Sequence, residues 1–387
     1  MNREIFLSCQ FKAHRDEAEL EGLIQAIRAS NSLSGDSTVV AEYEARLASH
    51  FGTRHAIAVS SGTAAIHAAL EACITPGNEV LVPVIAVPMT VNAVLQAGGK
   101  PVFYDRGERG FIPCLDSLER YRSDRARVVL TVSMWGYPAI DEALLEFARH
   151  HHLVIIEDTA QGLGTVNRQR FEGTIGDIGC FSTHEFKLMS TGEGGFVLTN
   201  HEEVATRIRS FSRIGFDAKR GGFGHRPGIN YKLSSPQAAL GLYQLANLAA
   251  KVTQRNGKMD RWRQALLAHP RVRDFFDAPD VALNGYSAVL TLVDAEPGLA
   301  RRLAETLYGR GILTDIHRYK QSYMTDFPLY QPFYQQGPYT GDKRRDFPNA
   351  TRFIDSAVVL PTHDSVTPEQ IDRAVLIILE ELDSLGG

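Results

Sequence analysis

Gly179-Cys180-Phe181-Ser182-Thr183-His184-Glu185-Phe186-Lys187-Leu188-Met189-Ser190-Thr191-Gly192-Glu193-Gly194-Gly195 is the stretch on which the reading of this chain turns. The run Ile178–Ser182 reads as a buried strand, and Phe196–Thr199 as the next one. Between them stands a single lysine, Lys187, followed by a glycine-rich turn. A lysine that must meet an aldehyde needs a low local pKa, supplied by partial burial or a neighbouring positive charge. Glycines beside it let backbone come close to a ligand. Taken alone, the stretch is more simply an exposed loop lysine ahead of a β-turn.

Two other stretches extend the pattern. In Val154-Ile155-Ile156-Glu157-Asp158-Thr159-Ala160-Gln161-Gly162, an apolar strand delivers Asp158 at its carboxyl end, where open α/β sheets place their ligands. A carboxylate there can pair with a protonated pyridine nitrogen; a helix N-cap or a metal ligand are the plainer alternatives. In Ala58-Val59-Ser60-Ser61-Gly62-Thr63-Ala64-Ala65-Ile66-His67, a strand passes through Ser-Ser-Gly-Thr into a helix. Amides and hydroxyls at a helix start can hold a phosphate, although simple capping explains a lone Ser-Gly-Thr as well. Gly162-Leu163-Gly164 lacks the third glycine of a dinucleotide fingerprint, and no P-loop is present. His184-Glu185 does not begin a zinc-protease motif, because Leu188 stands where its second histidine would be.

Around these stretches the chain alternates. Strands are expected at Ala56–Val59, Val80–Val82, Pro101–Tyr104, Arg127–Val132 and Leu153–Glu157 as well as the two already named. Most are short runs without polar alternation, as suits a sheet covered on both faces. Helical patterns such as Ala64–Glu71 and Ala139–His151 lie between them, which argues for a largely parallel sheet in a layered α/β domain. After about Gln254 the pattern changes: helices at Gly298–Gly309 and Pro368–Leu385 flank a strand at Ser287–Val293. The division expected is a large α/β domain over residues 1–250 and a smaller α+β domain over 251–387, joined through a helix near Ser235–Asn247.

The 387 residues are 44% hydrophobic, enough for a substantial core, and carry a formal net charge of -4. No basic excess argues for nucleic acid, and no apolar run reaches membrane-spanning length. The partners expected are small molecules and other copies of the chain. Four scattered cysteines without a CxxC pair fit a reducing cytoplasm and give no metal site. The polar start of the chain does not read as a signal peptide.

The order of the three stretches is that of fold-type I enzymes using pyridoxal 5′-phosphate. Their residues closely resemble the DegT/StrS-type sugar aminotransferases. That family's motifs match Ser61–Ala65, Glu157–Gln161, Phe181–Gly195 and Gly228–Lys232, and the resemblance runs from about Ser32 to His363. It implies a mostly parallel seven-stranded sheet in an α/β/α layer, with a smaller C-terminal α+β domain. It also implies that Lys187 forms the internal aldimine and shuttles the proton, while Asp158 pairs with the pyridine nitrogen. Gln161 would sit near the ring hydroxyl, and Gly62, Thr63 and Ser182 would hold the phosphate. Asn230 would reach the neighbouring subunit's phosphate site, making a homodimer with shared sites. His317 and Tyr319 are expected on the substrate side of the cleft.

The activity implied is transfer of an amino group from glutamate or glutamine to a keto-sugar or keto-cyclitol. A dehydratase or aromatising synthase of the same family, or a non-catalytic cofactor-binding regulator, are the other readings. The chain departs from the family at Val87, where an aromatic ring usually stacks on the pyridine. Met89 or Ile85 would then have to cover that face.

Overall fold

The computed structural model describes residues 4–10, 15–217, 220–223, 227–317 and 321–384. Its largest sheet has seven strands: β1 His55–Val59, β2 Glu79–Pro83, β3 Lys100–Tyr104, β4 Ala126–Val132, β5 Val154–Asp158, β6 Ile178–Ser182 and β7 Gly195–Thr199. All seven overlap the runs expected from sequence. Across the sheet they lie in the order β1-β7-β6-β5-β4-β2-β3. The pairs from β6 through β5, β4, β2 and β3 are parallel. β7 alone runs backwards, antiparallel to both β1 and β6.

Both faces of the sheet are dry. Every residue of β2, β6 and β7 is buried, which explains runs of Val, Leu and Phe without polar alternation. On one side Phe181 and Phe196 stack at 4.5 Å with an interplanar angle of 11°, and Phe51 lies against both. Such pairs contribute about 0.5–1.5 kcal/mol each beyond their buried area. The alternation of side chains along β5 separates its last two residues. Glu157 takes the backbone N–H groups of Gly173, Ile175 and Gly176 at 2.6–2.8 Å and fastens that loop to the strand. Asp158 faces the other way, into the cavity described below.

A second sheet of three antiparallel strands, Val272–Asp274, Ser287–Leu292 and Ala357–Pro361, packs against helices Leu248–Leu266 and Leu299–Gly309, and helix Pro368–Ser384 lies against both of these. Helix Leu248–Leu266 links the two regions. The short strand Leu7–Ser8 pairs in parallel with Ile312–Leu313, so the start of the chain lies against its C-terminal part.

Candidate active site

The carboxyl ends of β1, β5 and β6 meet around a cavity of about 290 Å³. β1 runs into helix Gly62–Cys73, whose N-cap is Ser61; the Ser61 hydroxyl accepts the Ala64 N–H at 3.0 Å. The first-turn amides of Gly62 and Thr63 have no partner within the helix, and both residues line the cavity. Gly62 is required by proximity. A Cβ at this position would lie 2.7 Å from Ser182 Cβ. The helix start and the end of β6 can therefore touch, which sets the Ser182 hydroxyl beside the helix N-terminus. Ser182 Oγ accepts the His184 N–H at 3.3 Å, leaving its own hydrogen to donate. Amides, hydroxyl and helix dipole together make an anion seat.

Asp158 is 2% exposed at the cavity wall. Thr90 Oγ1 donates to its Oδ2 at 2.5 Å, and the Ala160 N–H donates to Oδ1 at 3.2 Å. Burial pushes its carboxyl above the ordinary range; the Thr90 hydroxyl, the Ala160 amide and the charge of Lys187 oppose that rise. Thr90 owes its place to Pro88, which opens helix Pro88–Gln96.

Lys187 is not a free loop residue. The residues after it, Leu188 and Met189, are 2% and 0% exposed, so the turn is pinned to the core. Arg15 holds Ser190 through both its carbonyl and its hydroxyl, each at 3.0 Å. The lysine N–H donates to His184 O at 2.9 Å, and Nζ lies 5.8 Å from the centre of the Tyr286 ring. Gln161 completes the wall; its Oε1 accepts the Trp135 N–H at 2.9 Å.

A family model described as the DegT/DnrJ/EryC1/StrS aminotransferase family matches residues 14–379. The chain belongs to this family. The GDP-perosamine synthase of Caulobacter vibrioides is 30% identical over 345 residues, covering 89% of this chain and 90% of that protein. The spore coat polysaccharide biosynthesis protein SpsC of Bacillus subtilis is 30% identical over 352 residues, covering 87% of each. Among solved structures, DesV of S. venezuelae superposes with a TM-score of 0.81 at 27% identity over 94% of each chain.

As a member of this family the protein is a pyridoxal phosphate-dependent aminotransferase of fold type I. The cavity fits that cofactor on its own evidence. A phosphorylated pyridine aldehyde needs an anion seat, a carboxylate for its ring nitrogen and an amine for its aldehyde. The helix start with Ser182, Asp158 and Lys187 supply these in turn.

Of the residues expected from sequence, Lys187, Asp158, Gly62, Thr63, Gln161 and Ser182 all line the one cavity. Asn230 does not. It is exposed, on the segment that bridges to Arg213. His317 ends the 3-10 turn Asp315–His317, and Tyr319 lies outside the described residues. Val87 and Met89 both line the cavity, whereas Ile85 is buried in the core; Met89 is therefore the available cover for the missing ring. Thr90 and Tyr286 were not singled out from sequence. Thr90 could have been found as the residue that closes the strand-loop segment after Val87; nothing local marks Tyr286. Among the described residues no group of three or more His, Cys, Asp or Glu could hold a metal ion.

Proposed function

We propose that the enzyme moves an amino group from glutamate or glutamine to a keto group on a nucleotide-linked sugar or on a keto-cyclitol, in glycan or antibiotic biosynthesis. The observation that carries this reading is the Lys187 amine, half-buried in a cavity whose walls hold a buried carboxylate and an anion seat. Relatives at about this distance support the substrate class. They include the GDP-perosamine synthases and a UDP-N-acetyl-3-dehydro-alpha-D-glucosamine 3-aminotransferase 28% identical over 342 residues.

Bound pyridoxal phosphate would supply an electron sink that labilises a C–H bond beside the amino group. Asp158 would hold the proton on its ring nitrogen, the state in which the sink is strongest. Gly62, Thr63 and Ser182 would seat the phosphate. Lys187 Nζ would take the proton from the α-carbon of the amino donor and deliver one to the carbon that receives the amine. Val87 and Met89 would exclude water from one face of the ring.

The working form in this reading is a cytoplasmic homodimer with each site completed by Asn230 of the other copy. Ile214, Phe216, Phe223 and Ile229 are exposed on the segment leading to Asn230. Single exposed apolar residues are ordinary, but a run of four on one segment suits an interface. Cys73, Cys114 and Cys180 are free thiols, which suits a reducing compartment.

The test is to add glutamate or glutamine to the yellow protein and follow its visible band. The band should be lost, then return on addition of a keto-sugar nucleotide or keto-cyclitol, with an aminated product. If no donor bleaches the band while a hydroxylated substrate loses water, the enzyme is a dehydratase.

A further inference from the structure

Trp135 is a bulky residue in the left-handed region, with φ 53° and ψ 20°, where such side chains are rarely found. It is also 1% exposed. Its ring lies between Phe111 and Phe353, each 5.6 Å away between centroids. Its indole Nε1–H donates to Asp315 Oδ2 at 2.8 Å, a buried carboxylate from the C-terminal part of the chain. The next residue, Gly136, has φ 89°, and a Cβ there would collide with the Asn284 side chain. Strained backbone persists where its surroundings over-determine it, and it clusters at functional sites.

The consequence of this conformation falls on Gln161. The Trp135 N–H points at the Gln161 side-chain amide. A peptide N–H can only donate, so the amide atom facing it is the oxygen. The Nε2 end keeps the hydrogens, and its described contact is the weak acceptor Met134 Sδ at 3.8 Å. Asn284 fixes the Gln161 backbone through its carbonyl at 2.8 Å. We propose that Trp135, anchored by Asp315, is a positioning residue that sets Gln161 as a hydrogen-bond donor toward the cavity and so toward the ring oxygen of the bound cofactor. Asp315 shares its turn with His317. The link therefore joins the turn expected to meet substrate with the surroundings of the cofactor. The inference rests on the cofactor occupying the Lys187 cavity.

The experiment is a pH titration of the visible absorbance of the cofactor-loaded protein, with thermal unfolding recorded alongside. Losing a donor to an oxygen anion destabilises that anion, so the midpoint rises. Trp135→Phe keeps a ring between Phe111 and Phe353 and removes the Nε1–H; Gln161→Ala removes the donor itself. Each should raise the midpoint by about one pH unit. The double variant should rise no further than Gln161→Ala alone, because the two act through one group. Asp315→Asn keeps an acceptor oxygen and should titrate like the wild type. Asp315→Ala should shift with Trp135→Phe, and carries the test if that variant does not fold. An unmoved midpoint in the folded variants overturns the proposal, even if their unfolding temperature falls. So does a shift that adds to that of Gln161→Ala. A wild type with no visible band overturns the cofactor assignment instead.

Discussion

Replacing Thr90 by valine keeps the side-chain volume and removes one hydroxyl, and the effect should depend on pH. That hydroxyl makes the shorter of the two hydrogen bonds described for the Asp158 carboxyl, 2.5 Å against 3.2 Å for the Ala160 amide. A hydrogen bond to a charged group contributes about 1.5–3 kcal/mol. Without that donor the carboxyl should rise further, in the direction in which burial already pushes it. Asp158 already titrates above the ordinary carboxylate range because of burial. A carboxyl raised in the folded state holds its proton there more tightly than in the unfolded chain. Its ionisation therefore subtracts stability as pH rises from the unfolded value through the folded one. Thr90→Val should lower the stability of the cofactor-free protein by about 1.5–3 kcal/mol near neutral pH. At a pH low enough to protonate Asp158 in both proteins, the difference should shrink. Urea unfolding at a series of pH values measures this directly. A loss of equal size at every pH would mean that the hydroxyl does not act on the charge of Asp158, and the reasoning would be refuted.

Borohydride reduction followed by peptide mapping should place the cofactor on Lys187, and Lys187→Ala should lose both that adduct and turnover; a label on Lys232 would show the assignment to be wrong. Asn230→Ala should weaken retention of pyridoxal phosphate, and sedimentation should give a dimer for the wild type; a fully active monomer would contradict the shared site. Asp105, pushed up to about 6 by burial, accepts the Asn349 and Ala350 N–H groups at 2.8 Å. Because its folded pKa is raised, the wild type should lose stability relative to Asp105→Asn as pH climbs from about 4 to about 6, by at most about 3 kcal/mol. Denaturant midpoints across that range would show it, and parallel curves would rule it out.

The sheet and its cavity were legible in the sequence for one reason: β-branched runs broken by polar or glycine residues at their carboxyl ends. β6 has the bounds expected, and β5 is displaced by a single residue, which leaves Asp158 inside the strand rather than just beyond it. The reversed direction of β7 has no local signature, since a buried strand reads alike in either sense. Resemblance to the family's motifs pointed to Lys187 and Gln161. It could not give Tyr286 or the Asp315 partner of Trp135, because those contacts join parts of the chain about a hundred residues apart or more. The left-handed backbone of Trp135 follows from tertiary contacts that no propensity encodes.

The reversal of β7 also bears on how the protein is made. β7 lies between β1 and β6 and supplies hydrogen bonds to both. Until residues 195–199 have left the ribosome, β1 has no neighbour in the sheet, and one edge of β6 is bare. The anion seat needs the start of helix Gly62–Cys73 pressed against Ser182, positions some 120 residues apart in the chain. A nascent chain that already contains Lys187, Asp158 and Ser61 thus has the parts of its site but not their arrangement. Over that interval, two buried strands present open edges of the kind that recruit other chains. The last strand to be added is the one that joins β1 to β6, so assembly of the site and pairing of those two strands are the same event.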